Sequence, residues 1–477
     1  MRHDNFEVDS ERFCQLCGIP FNAGRIRRPD EPPDAAWGCY GYNFVAQPDA
    51  EASCRSRSCG WLERDKSDAG GDAYGILGDD DETFGDLEYR EHLAGPECTC
   101  TEGYTGHEIS VQEMRHVISC QCLAEKRDGW RAEPGDCDFE LEAEHCFLTG
   151  VSRSGAMDLI TGLEPVRHGV SQTRIENDRP SEFGLGPAEL CALPLHPRCF
   201  ELYQRLSLRC FGRVDIDGLW RLREEKGNYA NRFEGMPTNP DVELVSERRY
   251  SARPGTQYLA ADPVDVPGLS TLIQSCLVKE GDVCESVFGA SEHMMESAEH
   301  SDPFSRLPPE LRRILLEKLS RQDVANLRLV SPAFKQIPQS YFRHLVETEM
   351  PWLWEVSDLP KHSVDFYRLW CKLHEADGGS QQDLQEREWV TQTPIKKLDA
   401  LRDELELSTG VSAEWDKRAP KLEEEAKAEI QAGYESGMWL RKPTNVLLGL
   451  RNRRRIWRDL DVIVQMISEL DLTSDEA

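Results

Sequence analysis

Residues 304–338 read FSRLPPELRRILLEKLSRQDVANLRLVSPAFKQIP, and the organisation of the chain follows from what this stretch can bury. Pro308 and Pro309 predict a helix start, because the first turn leaves its N–H groups unpaired and loses nothing to a residue that lacks one. Downstream, Leu311, Ile314, Leu315 and Leu319 recur on one face of a 3.6-residue helix. Ser320 precedes Asp323 by three positions, a spacing that resembles the capping box of a second helix. Val324, Leu327 and Val330 are expected on its buried side. Ser331-Pro332 signals a third short helix with Phe334 and Ile337 turned inward. Helices this short enclose little apolar surface, so the unit is expected to need a partner's surface.

The order Leu-Pro-x-Glu-Leu, paired aliphatics, Leu-Ser-x-x-Asp and then Leu-Arg-Leu-Val-Ser resembles the F-box motif. That resemblance implies a three-helix unit that docks on the Skp-family adaptor of cullin–RING ubiquitin ligases. It further implies that Leu307 and Pro308 enter the adaptor's groove, that Leu311, Ile314 and Leu315 supply the apolar face, and that Leu327 and Val330 close it. Asp323 would cap the second helix. Pro332 stands where a basic residue is common in the family, and Phe334 where Trp is common; Phe keeps an aromatic anchor.

A chain of 477 residues is long enough for roughly two to four domains. The expected fold class is α+β and multidomain: a Cys-rich, mixed α/β amino-terminal region over 1–284, a linker over 285–303, the F-box over 304–348 and a helical carboxy-terminal region over 349–477. Residues 64–91, RDKSDAGGDAYGILGDDDETFGDLEYRE, are rich in Gly and Asp and read as a flexible acidic insert. Its Asp79-Asp80-Asp81-Glu82 run lacks the alternating oxygens and distal Glu of a calcium loop. A formal charge of −30 argues against nucleic-acid or anionic-membrane binding, both of which need cationic surface. The charged opening MRHDNFEVDSERF has no apolar core of a secretory signal, and no run reaches the roughly 18 apolar residues a bilayer span requires. The expected location is cytoplasmic, nuclear or both.

Seventeen cysteines in such a chain point to reduced thiols or zinc rather than to disulfides. Cys14-Gln-Leu-Cys17-Gly18 has the spacing that brings two thiolates to one metal, with a glycine for the turn. The best second pair is distant: His196-Pro-Arg-Cys199, where Pro197 would open a helix and set both ligands near its start. These four residues are nominated for one structural zinc. Rival sets are Cys98-x-Cys100 with Cys120-x-Cys122, whose spacing is tight for a structural site, and Cys54 with Cys59 inside CRSRSC; buried or exposed thiols are the plainer reading of both.

The amino-terminal half further resembles a group of filamentous-fungal F-box proteins in its CxLCG start, its GV…RHG segment, its HPxCFE helix and its YLAADP…VPGL segment. Phe200, Leu202, Tyr203, Leu206 and Cys210 are spaced for one helix face, Asp215 or Asp217 can cap a following helix, and another helix is expected from about Gly268. Arg167-His168-Gly169 matches the phosphohistidine signature of histidine phosphatases, but Pro165 interrupts the strand that motif needs and no second half is found after it. No nucleophile elbow, phosphate loop or HExxH helix is present.

After the F-box, Trp352 and Trp354 offer a large aromatic anchor that would weld it to the carboxy-terminal region. Phe366, Leu369, Trp370 and Leu373 lie on one helix face, and 380–408 and 420–440 read as charged surface helices. Ile456, Leu460, Ile463, Ile467 and Leu470 form a helical seam. The cluster Arg451, Arg453, Arg454, Arg455 and Arg458 is expected on a solvated face. No repeat of the leucine-rich, WD or kelch kind appears. Together these readings predict a non-catalytic adaptor that binds a Skp-family protein and brings an unidentified protein substrate to a ubiquitin ligase. Skp binding outside a ligase is the alternative, and a phosphatase at His168 a distant one.

Overall fold

A computed structural model of the chain describes residues 13–21, 23–37, 54, 56–63, 90–126, 129–153, 192–227, 232–237, 239–246, 252–253, 255–278, 302–357, 359, 364–376, 421 and 446–473. Residues 64–89 of the acidic insert, the Arg167-His168-Gly169 motif, residues 380–408 and all of 420–440 but Lys421 lie outside them; the insert's last two residues, Arg90 and Glu91, belong instead to a strand. The chain divides into two compact units. One comprises Met1–Val266, Leu384–Lys442 and Leu448–Ala477; the other comprises Pro267–Asp383 and Pro443–Leu447.

The first unit holds strands β1 (Arg25–Ile26), β2 (Gly60–Glu63), β3 (Arg90–Leu93), β4 (Tyr104–Thr105), β5 (Ser119–Glu125), β6 (Cys146–Leu148), β7 (Ser152–Arg153) and β8 (Ala192–Leu195). It also holds helices α1 (Val111–Met114), α2 (Asp138–Glu142), α3 (Pro197–Phe211), α4 (Ile216–Lys226) and α5 (Pro240–Ser246). β5 is the spine of a four-stranded sheet, pairing antiparallel with β6, β7 and β8. Pro194 in β8 has no N–H to give, and the facing Cys122 carbonyl accepts from the Thr149 amide at 2.9 Å. The Pro194 carbonyl accepts from the Gln15 amide at 3.0 Å. That bond fixes the amino-terminal turn against the strand that leads into α3.

In α3 the expected residues Phe200, Leu202, Tyr203 and Leu206 are buried. Cys210 is exposed, a correction to its place on the inward face: the buried stripe ends one turn earlier, before the Gly212 C-cap at φ 74°. Asp215 caps α4 by accepting from the Gly218 amide at 3.0 Å. Asp217 instead accepts from the amides of Glu144 and His145.

The long helix α11 (Leu448–Glu469) packs on α3 and α4 within this first unit. Its seam is as expected at Ile456, Leu460, Ile463 and Ile467, all fully buried, while Leu470 is exposed. The arginine cluster corrects the expectation of a solvated face, because Arg453 and Arg455 are buried. Arg453 Nη2 donates to the Val264 carbonyl at 2.9 Å, and Arg451 stacks over Tyr258 at 3.8 Å. Charge alone does not keep an arginine outside; a long guanidinium can be buried where carbonyls meet its donors. The region expected as one helical block over 349–477 is therefore divided between the two units.

The second unit holds α6 (Leu269–Gln274), α7 (Pro309–Lys318), α8 (Arg321–Val330), α9 (Gln339–Glu349) and α10 (Phe366–Ala376). α6 follows Gly268, as the sequence suggests, but it joins this unit rather than the region before it. The cause is local: Leu277 bridges to Val364, and the Asp365 amide donates to the Cys276 carbonyl at 2.9 Å. Trp352 is buried inside the unit and Trp354 half-buried. Phe366, Leu369 and Leu373 are buried in α10, and Trp370 packs partly against the core formed by α7, α8 and α9.

Candidate functional site

Leu316, Val324, Phe334, Tyr341 and Leu345 form the closed core of the second unit. α7 presents two apolar lines, and periodicity cannot say which one turns inward. Leu316, outside the expected apolar face, is the residue fully buried, whereas Leu311 and Ile314 are each 47% exposed. Leu307 is half-buried and Pro308 exposed. Leu315 and Leu327 sit at the margin, partly packed on the core. Val330, expected on the buried side of α8, is 76% exposed, and its unforeseen neighbour Leu329 is 85% exposed. The two helices thus leave an apolar surface open.

Ser320 caps α8, its Oγ accepting from the Asp323 amide at 3.1 Å. The third helix expected at Ser331-Pro332 is a single 3₁₀ turn, Pro332–Phe334, and the next α-helix begins at Gln339. Pro338 explains the gap, because the residue before a proline is forced out of helical geometry. The turn is held by Asp302, whose carboxylate accepts from Ser331 Oγ at 2.7 Å and from the Ala333 amide at 3.2 Å. Phe304 meets Phe334 edge-on at 5.5 Å.

Burial pushes Asp302 upward, but these hydrogen bonds, the Phe304 amide and the Arg312 charge outweigh it and hold the carboxyl below its ordinary range. A carboxylate lowered in the fold stabilises above its unfolded pKa, and the contribution disappears as pH falls through the folded value. Asp302→Ala is expected to cost about 1–2 kcal/mol, read as a lower urea midpoint at neutral pH that converges on the parent at acid pH.

The nominated cysteine site assembles in the first unit. Cys14 and Cys17 come from the amino-terminal turn, where Gly18 adopts φ +73° and its amide donates to the Cys14 carbonyl at 2.8 Å. β8 delivers His196 as the residue capping α3, and Cys199 follows in the first turn. All four are buried, and their ligating atoms lie within 4.8 Å of one another. His196 Nδ1 is 3.4 Å from Cys17 Sγ and 4.0 Å from Cys199 Sγ. Ligands bonded to one zinc at about 2.0–2.3 Å in a tetrahedron stand about 3.3–3.8 Å apart. His196 Nε2 donates to the Val117 carbonyl at 3.1 Å, which turns Nδ1 toward the thiols as an outer hydrogen bond does for a metal-bound histidine. The His196 amide donates to Cys14 Sγ at 3.2 Å.

Burial alone would raise Cys17, but hydrogen bonds to Cys14 and Cys199 and the charge of His196 hold it well below the thiol range. Burial would lower His196, yet the charges on Cys14 and Cys17 lift it to about 10. Burial and the neighbouring thiols push Cys199 the other way, upward, so the shifts within the cluster are opposed. The donor set fits a structural zinc: soft sulfur ligands, a lone pair on Nδ1 and closed surroundings. Around the turn, Arg455 Nη1 donates to the Cys17 carbonyl at 2.7 Å and Arg232 Nη2 to the Leu16 carbonyl at 2.8 Å.

The rival pairing of Cys98-x-Cys100 with Cys120-x-Cys122 does not form. Cys120 and Cys122 lie on β5, and Cys100 packs with Ile26, Cys54 and Ala94. Cys98 instead joins Cys54, Cys59 and His92, a group that sequence spacing alone does not assemble. Among the described residues, no helix is long and apolar enough to cross a membrane.

Comparison with known protein families matches the F-box domain to residues 304–344, a span that contains most of the closed core and the open apolar face. The chain contains an F-box domain. No curated protein and no solved structure matches it.

Proposed function

We propose that this protein is a non-catalytic substrate adaptor of a Skp–cullin–F-box ubiquitin ligase. The observation that carries the reading is the contrast within the F-box. Leu316, Val324 and Phe334 already close its core, so Leu311, Ile314, Leu329 and Val330 remain exposed for another polypeptide. Large aliphatic side chains left exposed on the surface of a folded unit are what a partner covers. Leu307, Pro308, Leu311, Ile314, Leu315, Leu327 and Val330 are the proposed contacts with a Skp-family adaptor. The first unit, tied together by one zinc on Cys14, Cys17, His196 and Cys199, is the proposed holder of a protein substrate. Such an adaptor works by position: holding a substrate near the charged conjugating enzyme raises the effective concentration of its lysines.

The test is affinity purification of the tagged chain from cells, followed by protein identification and a ubiquitin-transfer assay on co-purified proteins. Recovery of a Skp-family protein together with a cullin, and transfer that depends on residues 304–344, is the expected result. A Skp-family protein recovered without any cullin overturns the ligase assignment and favours the adaptor-binding role outside a ligase.

A further inference from the structure

The first unit holds a second convergence of thiols and imidazole. Cys54 and Cys59 bracket a short turn in which the Cys59 amide donates to the Ser56 carbonyl at 3.5 Å. Cys98 closes a second turn by donating its amide to the Gly95 carbonyl at 3.1 Å. The turns interlock. Gly95 lies so close to Ser58 that a Cβ there would stand 2.0 Å from the Ser58 carbonyl oxygen, and its amide donates to Cys59 Sγ at 3.4 Å. His92 enters from β3, directly across the antiparallel register from Trp61, and the two rings stack at 4.7 Å with an 18° tilt.

We propose that Cys54, Cys59, His92 and Cys98 form a second zinc centre. Cys54 Sγ lies 3.5 Å from Cys59 Sγ and 3.7 Å from Cys98 Sγ, and Cys98 Sγ lies 3.8 Å from His92 Nε2. These separations match the edges of a tetrahedron whose sulfurs are bound at about 2.3 Å, close to 3.8 Å. They are far too long for a disulfide, whose sulfurs sit about 2.05 Å apart.

The histidine supplies the independent observation. His92 is 1% exposed, and Nε2 is the ring nitrogen that faces Cys98 Sγ. Ile26, Ala94 and Cys100 pack with Cys54, Cys59 and Cys98 and give the thiols an apolar surround. A metal bond at His92 Nε2 and three at the sulfurs use the four donor atoms that converge here. Thiolate and imidazole donors select zinc over the hard cations calcium and magnesium, which take oxygen. Two ligands precede β2 and two come from β3 and the turn after it. The metal therefore clips the foot of the β2–β3 pair, whose far end at Glu63 and Arg90 flanks the acidic insert.

The test is zinc analysis of the purified full-length chain and its variants. Two equivalents of zinc per chain are expected. Cys59→Ser and His92→Ala should each fall to one equivalent, whereas Cys98→His, which keeps a ligand, should stay at two. Cys14→Ser should also fall to one, and Cys14→Ser combined with Cys59→Ser to none, so the two centres report separately. Should a variant not fold, cobalt titration of the unmodified chain gives the same count, its thiolate charge-transfer band rising to two equivalents. One equivalent in the parent chain that Cys59→Ser retains overturns the second centre. A Cys54–Cys59 disulfide found by intact mass overturns it as well.

Discussion

Substituting Leu311 and Ile314 together with aspartate is expected to abolish binding to a Skp-family adaptor while the chain stays folded. Both side chains are 47% exposed and neither belongs to the closed core, so water solvates the new carboxylates in the free protein. In a complex the same carboxylates enter an apolar interface without partners, at a cost of several kcal/mol. A loss of about 4 kcal/mol weakens affinity about 1,000-fold. Isothermal titration against purified adaptor measures it, with circular dichroism to show the helices intact. Unchanged affinity in the folded double variant would end the docking assignment. The contrasting control is Leu316→Asp, which buries a charge in the F-box itself and is expected to unfold the second unit whether or not an adaptor is present.

The second large effect falls on the first unit. Zinc bound by small structural sites contributes on the order of 10–16 kcal/mol of apparent binding free energy, comparable to the whole stability of an ordinary domain at about 5–15 kcal/mol. Cys14→Ser is therefore expected to release this centre's zinc and to lower the unfolding temperature of the first unit steeply. Its released parts include the Arg455 bond to the Cys17 carbonyl and the Gln15 bond to Pro194. Chelation at neutral pH should do the same. Thermal denaturation monitored by near-ultraviolet dichroism reads the change; a zinc-free chain that keeps its cooperative transition would dispose of this centre.

The F-box is legible in the sequence because its signals are local: prolines that open α7, a serine that caps α8 and aliphatics at helical spacing. Which aliphatic line faces inward is not, since a helix with apolar residues on two sides carries no mark of the core's direction. Leu316 and Leu329 escape the pattern for that reason. The first cysteine site is also legible, although its halves stand far apart in the chain, because each carries its own grammar: CxxCG for a turn and His-Pro-x-Cys for a helix start. His92 gives no such signal. It is a lone histidine in a strand, and its link to Cys54 and Cys59 depends on the register of β2 against β3, which the intervening acidic insert conceals. The burial of Arg453 and Arg455 is equally hidden, since the carbonyls that receive them come from segments remote in sequence.

Arg455, reaching back to the Cys17 carbonyl, bears on the order in which the protein can be made. A ribosome releases Cys14 and Cys17 before α11, with the F-box unit between them. The F-box unit can fold while still tethered to an unfinished body. The first unit must wait until residues 448–469 emerge to receive α11. A nascent chain stalled before residue 448 would thus offer a finished docking face on an incomplete substrate holder, and quality control would have to distinguish the two.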